Sequence, residues 1–305
     1  MAEDYPKTML ELERRFSDEA ACRAYLTALR WPGGFVCPGC ATSKSLEIRR
    51  GLWRCLTCRK EVSVMAGTVF QDSKLPLTLW FRAMWQITSQ KNGVSAIGLQ
   101  RVLGLGSYKT AWTVMHKLRR AMVRPGRERL HGIVEVDEAY WGGEEQNVRG
   151  RQTNDKALIA VAAEVEGTKI GRIRLRHIPD CTRKTLHGFI AEAIDPASKV
   201  QTDGLQAYRE LKGFTHERLI QSHRLPDDPH LLPRVHRVIS LLKRWLMGTH
   251  QGAVSSDYLQ DYLDEFTFRF NRRTSSSRGK LFYRLAQQAV QTAPTTYDNL
   301  SDHNL

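Results

Sequence analysis

The stretch Ile133-Val-Glu-Val-Asp-Glu138 alternates apolar and acidic residues with a period of two, as a half-buried strand does. Two more β-runs follow it, Ala157-Leu-Ile-Ala-Val-Ala-Ala163 and Ile170 to Ile178. A helix is predicted over Thr182 to Ile194, then a strand over Lys199 to Thr202. Three adjacent strands, a helix and a further strand fit a mixed sheet flanked by helices, the core of an α+β chain.

Asp137 closes the first of these strands and Asp203 closes the fourth, just before a Gly204 turn into a helix predicted over Leu205 to Leu211. The order is that of an RNase-H-like sheet, in which those two strands are neighbours. The two carboxylates then converge and can share a divalent ion, and hard oxygen ligands suit Mg²⁺ or Mn²⁺. Singly, each aspartate is also an ordinary turn residue; it is the pair at strand ends that points to metal.

Towards the N-terminus, Cys37-Pro-Gly-Cys40 and Cys55-Leu-Thr-Cys58 form two CxxC knuckles whose spacing lets two short hairpins bring four thiolates onto one zinc ion. Ser45-Leu-Glu-Ile-Arg-Arg and Gly51-Leu-Trp-Arg between them read as the short strands of a zinc ribbon. Four thiolates leave no open coordination position, so this zinc is structural. A redox CxxC pair fits less well, because two knuckles are present and no βαβ context surrounds them. Cys22, on an amphipathic helix leading into the ribbon, and Cys181 read as small buried hydrophobes.

From Pro76 the chain reads helical, with Leu77, Trp80, Phe81 and Met84 on one stripe. A second helix is predicted over Ser95 to Leu103, a tight turn at Gly104-Leu-Gly106, and a third helix from Tyr108 to about Met122, capped by Ser107. This is a helix-turn-helix pattern. Its third helix would offer Ser107 to Thr113 to base edges, while Lys109, His116, Lys117, Arg119 and Arg120 meet phosphates. Arg119, Arg120, Arg124, Arg127 and Arg129 form a basic run joining the two halves of the chain, which is equally legible as a solvated linker.

The expected domains are 1–70, a helical lead-in and zinc ribbon; 71–130, the helix-turn-helix and basic linker; 131–285, the mixed-sheet domain; and 286–305, a polar tail, loose from about Thr292. The 305 residues carry 46 Lys and Arg against 32 Asp and Glu, a net charge of +14, so polyanions lead the partner list. No stretch approaches the roughly 18 apolar residues of a membrane span, and the first residues lack the apolar centre of a signal peptide, so a cytoplasmic, nucleoid-associated protein is expected.

Four blocks carry a resemblance: Val134-Glu-Val-Asp-Glu-Ala-Tyr-Trp-Gly-Gly143, Thr202-Asp-Gly-Leu-Gln-Ala-Tyr208, His236-Arg-Val-Ile-Ser-Leu-Leu-Lys-Arg-Trp-Leu-Met-Gly-Thr-His250, and Tyr262-Leu-Asp-Glu-Phe-Thr-Phe-Arg-Phe-Asn-Arg-Arg273. They resemble the signature blocks of bacterial insertion-sequence transposases that pair a zinc ribbon with an RNase-H-like DDE-type domain, over about residues 15 to 275. The resemblance implies a DNA transposase that binds terminal inverted repeats, works on double-stranded DNA as at least a homodimer, and cleaves and joins strands by two-metal phosphoryl transfer. It places the first family carboxylate at Asp137 and the second at Asp203. Family members commonly carry Glu at the third position with Lys seven residues on; here the pair is His236 and Lys243. Seven residues advance an α-helix by about 700°, within about 20° of two full turns, so both point the same way.

His236 is therefore the candidate third ligand of a catalytic Mg²⁺ or Mn²⁺, with activity expected to fall as it protonates near its ordinary pKa of about 6.5. Glu138 and Glu265 are reserve candidates. Lys243, Arg244, Arg272 and Arg273 are expected to grip phosphates. His in place of Glu also invites a second reading, a catalytically inactive DNA-binding regulator, and the same fold allows a structure-specific nuclease.

Overall fold

A computed structural model describes residues 3–49, 51–143, 156–220 and 231–301. The chain divides into two compact units, Met1–Arg124 with Thr274–Leu305, and Pro125–Arg273.

In the first unit, helix α1 (Met9–Arg15) and helix α2 (Glu19–Arg30) start at Thr8 and Asp18, whose side chains accept the Glu11 and Ala21 backbone N–H groups. Helix α2 buries Cys22, Tyr25 and Leu26, the apolar face foreseen for it. Strands β1 (Ser45–Arg49), β2 (Leu52–Cys55) and β3 (Glu61–Ser63) form an antiparallel three-stranded sheet, one strand more than expected. Arg30 fastens α2 to it by donating Nη1 to the Ser63 and Val64 carbonyls, at 3.1 and 2.7 Å. Helix α3 (Leu77–Ser89) buries Leu77, Trp80, Phe81 and Met84. Helix α4 (Ala96–Leu103) ends on Gly104 at φ 62°, a left-handed cap that favours glycine, and α5 (Tyr108–Ala121) begins at a Ser107 cap.

The helix pair is present, but the basic face expected of its second member is largely interior. His116, Lys117 and Arg119 on α5 are buried, with Arg119 Nη1 hydrogen-bonded to His116 Nε2 one turn away at 3.2 Å. The residues are basic and yet packed, because the turns from Val114 onward lie among other helices of this unit rather than facing water.

The second unit opens with β4 (Ile133–Trp141), β5 (Ala157–Glu166) and β6 (Lys169–Ile178), followed by α6 (Arg183–Ala193), β7 (Lys199–Thr202) and β8 (Thr215–Arg218). Strand order is β6-β5-β4-β7-β8: β4 is central, antiparallel to β5 and parallel to β7, and β8 adds a parallel edge. Helix α7 (Pro233–His250) and helix α8 (Ser256–Phe270) complete it. One face of the sheet packs Ile159, Val161 and Ala163 against Val235, Val238, Leu242 and Leu263. The other packs Val134, Val136 and Ala160 against Leu186, Phe189 and Ile190 of α6. The sheet is thus mixed and covered on both sides, as expected. The helix expected over 205–211 is a single 3₁₀ turn, Gln206–Tyr208: Glu210 adopts φ 57° and ends it within two residues.

Helix α9 (Arg278–Ala289) then returns to the first unit, so the mixed-sheet unit stops at Arg273 and not at residue 285. The reason is packing. Phe282 lies 5.6 Å from the Phe81 ring and close to Phe16, Tyr25 and Trp85. Gly279 admits the Pro6 carbonyl where a Cβ would stand 1.7 Å from its oxygen. The expected polar tail is also partly built: α10 (Asp298–Ser301) buries Leu300, Tyr297 meets Trp112 edge-on and lies beneath the Lys109 ammonium, and Arg120 donates to Thr295. Residues 302–305 lie outside the described part. Among the described residues no helix is long and apolar enough to cross a membrane.

Candidate active site

Strand alternation decides which side of the sheet each acidic residue of β4 serves. Glu135, Asp137 and Ala139 stand opposite Ala163, Val161 and Ile159 of β5, whose side chains face α7. Val134 and Val136 point to the α6 side. Glu138 shares that second side, where its carboxylate accepts a hydrogen bond from the buried Tyr208 hydroxyl. Asp137 and Glu138 therefore serve opposite faces although they are adjacent in sequence.

The parallel register pairs Gln201 with Glu135 and Thr202 with Val136, so Asp203, the residue just after β7, is next in register to Asp137, which lies in the middle of β4 and does not close it as expected. Its Oδ1 accepts the Leu205 N–H at 2.9 Å, the hydrogen bond that shapes the turn after the strand. Thr202 is tied from behind, its hydroxyl 3.0 Å from His216 Nε2. Arg218 donates to the Gly204 carbonyl at 2.7 Å and steadies the same turn.

His236 arrives from the first turn of α7, with its Nε2 3.1 Å from Asp137 Oδ2. Asp137 Oδ1 is occupied by the Glu138 N–H at 2.8 Å. Side-chain exposure is 16% for Asp137 and 44% for His236, so the pair is open to solvent on the imidazole side. The Asp137 carboxylate hydrogen-bonded to it holds the imidazole above its ordinary pKa, against the opposite pull of partial burial. Ser240 and Lys243, four and seven residues along the same helix, are exposed as well, and so is Arg244. Asp203 does not close the group: among the described residues only four cysteines have ligand atoms all within 4.8 Å of one another.

The remaining acidic and basic candidates are employed elsewhere. Glu265 is fully buried on α8, 3.5 Å from Arg269 Nη1 one turn away. Arg273 gives its guanidinium to the Gly171, Ile170 and Phe270 carbonyls, and Arg272 to Phe268, so both close the end of α8 instead of standing free for phosphates. Glu135 was passed over in the sequence and is central here: its Oε2 accepts the Arg234 and Val235 N–H groups at 2.7 and 2.9 Å. The available signal was an acidic residue at an inward strand position two before Asp137.

In the first unit, Cys37 Sγ lies 3.6 Å from Cys58 Sγ and Cys40 Sγ 3.5 Å from Cys55 Sγ. Thiolates about 2.3 Å from a tetrahedral zinc stand about 3.8 Å apart, whereas a disulfide needs about 2.05 Å, so the four sulfurs fit zinc. The Cys58 backbone N–H, 3.4 Å from Cys55 Sγ, and that of Thr57 help bring the Cys55 thiol down to about 6, towards the thiolate that binds metal. Cys22 is fully buried and Cys181 partly so, packed on the α6 core.

Family comparison agrees with both halves. Residues 129–271 match the ISXO2-like transposase domain and residues 17–61 match the transposase zinc-ribbon domain. The chain belongs to the insertion-sequence transposases with an N-terminal zinc ribbon. Among this family's relatives, an uncharacterized protein in transposable element ISH50 of Halobacterium salinarum is 29% identical over 285 residues, which span 84% of this chain and 92% of the relative. Membership supports a transposase role and a structural zinc on the four cysteines.

Proposed function

We propose that this transposase binds the terminal inverted repeats of its element, cleaves the strands at their ends and joins the 3′-hydroxyls to target DNA, with Asp137, Asp203 and His236 as the metal-holding group. The observation that carries this reading is the 3.1 Å approach of His236 to Asp137 in the middle of the central strand, with Asp203 just past the end of the neighbouring strand and next in its register. Two carboxylates and an imidazole accept Mn²⁺ more readily than three carboxylates would, because the nitrogen is the softer ligand and less negative charge is assembled. Divalent ions held there would activate the attacking oxygen and neutralise the leaving one.

The chain's own residues do the rest. Asp137 is fixed by its Glu138 N–H bond, so its second oxygen is presented at a constant position to the solvent side. The exposed face of α7 lines His236, Ser240 and Lys243 along one direction, which suits a phosphate backbone running past the carboxylates. The zinc ribbon and the first turns of α5, where Ser107, Tyr108 and Lys109 are exposed, carry the remaining DNA contacts. Two ends are handled together by at least a dimer.

Strand cleavage on end-containing DNA with Mn²⁺ or Mg²⁺ tests the proposal. Asp137→Ala and Asp203→Ala are each expected to lose roughly a thousandfold or more in rate, since a metal ligand supplies several kcal/mol to the transition state. DNA binding without cleavage by the unaltered protein would identify a regulator and overturn the enzymatic reading. Cleavage of branched DNA lacking the ends would identify a nuclease.

A further inference from the structure

Helix α7 begins without a cap of its own. Its N-cap position is Leu232, whose side chain has no acceptor, and Pro233 at the first helical position has no N–H. The first backbone donors that need a partner are therefore Arg234 and Val235, and Val235 is fully buried, out of reach of water. An unmet donor at such a place costs free energy comparable to a lost hydrogen bond.

Both donors end on one atom about a hundred residues away in sequence, Glu135 Oε2 of the central strand, at 2.7 and 2.9 Å. Glu135 is itself buried, with 3% side-chain exposure, and Arg234 Nη1 stands 3.9 Å from its other oxygen. An anion on two helix N–H groups also meets the positive end of the helix dipole. The side chain next on the same helix turn is His236, and the side chain two along the same strand face is Asp137. Strand β4 thus holds the start of α7 twice: by the backbone through Glu135, and by the imidazole through Asp137.

We infer that Glu135 is a positioning residue: by capping α7 from the central strand it sets the height and rotation at which His236 meets Asp137. This deepens the metal-holding reading above and rests on it. Glu135 does not itself serve as a ligand, because the oxygen nearest the helix is spent on two backbone donors and the carboxylate lies beneath the surface. Residues that orient a ligand in this way typically change metal affinity or activity by roughly 10–100-fold.

The experiment uses the full chain with Mn²⁺ as probe, in the wild type, Glu135→Ala and Glu135→Gln. Three quantities are read: Mn²⁺ affinity, the ¹⁴N modulation that a coordinated imidazole imposes on the Mn²⁺ electron-spin echo, and amide hydrogen exchange at Arg234 and Val235 in the metal-free protein. In Glu135→Ala the two amides are expected to exchange at least about tenfold faster, the nitrogen modulation to fade, and Mn²⁺ to bind roughly 10–100-fold more weakly. Glu135→Gln keeps an acceptor oxygen but not the charge, and is expected to restore part of the amide protection and of the modulation. If Glu135→Ala does not fold, Glu135→Gln decides, with a several-fold loss of amide protection expected and full wild-type protection overturning the inference.

Glu135→Ala with undiminished modulation and protection also overturns it. So does loss of Mn²⁺ with both amides still protected, which would make Glu135 a ligand. A wild type that binds Mn²⁺ without any nitrogen modulation removes His236 from the ligand set and leaves the positioning role to crystals of the two proteins. There, a His236 Nε2 to Asp137 Oδ2 distance unchanged from 3.1 Å in Glu135→Ala overturns the inference.

Discussion

The four-cysteine cluster and the Asp137–His236 site are built in opposite ways. The cysteines come from two knuckles inside one small sheet, Cys37 to Cys58, and each knuckle shapes itself: Gly39 N–H points at Cys37 Sγ and Cys58 N–H at Cys55 Sγ. Asp137 and His236 are separated by the rest of the sheet, and meet only because β4 is central and α7 docks across it. The first cluster is closed and complete from local chain geometry. The second depends on strand register and on a helix whose start is capped from afar, so it is open, adjustable and sensitive to distant residues.

The largest expected effect breaks the local cluster. Stripping zinc with a chelator should unfold the ribbon, since structural zinc contributes on the order of 10 kcal/mol of apparent binding energy at neutral pH. Circular dichroism and tryptophan emission from Trp53, whose ring lies 5.0 Å from Trp31, would follow it, while the mixed-sheet unit keeps its own melting transition.

Next in size, Phe282→Ala removes the aromatic core that α9 brings to Phe16, Tyr25 and Phe81, and should destabilise the first unit by about 3–5 kcal/mol. Zinc stoichiometry should stay unchanged, because the four sulfurs are arranged by the knuckles between Cys37 and Cys58. Loss of zinc in this variant would show that the ribbon is less self-contained than its sulfur geometry implies.

The smallest effect concerns the open site and pH. His236 has its folded-state pKa raised above the unfolded value of about 6.5 by the Asp137 carboxylate. The ion pair therefore stabilises the metal-free protein fully below about pH 6.5, and the contribution disappears as pH rises through the raised value. Melting temperatures taken from pH 5.5 to 9 should show this loss, and His236→Ala should flatten it. Mn²⁺ must displace the same proton, so its affinity should climb over that window, with a midpoint above the roughly 6.5 expected of an unperturbed histidine. A midpoint at or below that figure would contradict the hydrogen bond.

The same contrast explains what the sequence made legible. Cysteine spacing speaks for itself, because ligand convergence needs only a few residues of chain. The neighbouring strands of the two carboxylates were readable because strand order follows from the β-α-β pattern, but Asp137 lies in the middle of β4 and not at its end, while Asp203 follows β7 directly. Side-chain direction was harder. Arg119 and Lys117 look like a solvated basic face, yet tertiary packing buries them, and burial pulls the Lys117 ammonium down from its ordinary pKa. Arg272 and Arg273 look like phosphate ligands and turn to backbone carbonyls. Leu205 to Leu211 has a helical look that one left-handed residue, Glu210, cuts to a single turn. In each case the deciding partner lies far away in the chain or in the backbone, where pattern and propensity are silent. Glu135 is the clearest instance: its role exists only once α7 has landed on β4.

The return of α9 to the first unit has a consequence for synthesis. At about 5–20 residues per second, the roughly 150 residues of the second unit take on the order of 10–30 s to emerge. Throughout that interval the ribbon can close on zinc, but the aromatic floor formed by Phe16, Tyr25 and Phe81 waits for Phe282. The first unit to be translated is thus the last to be finished. A chain released early, anywhere within the sheet, lacks the helix that seals its own beginning, and only complete molecules carry a closed N-terminal half.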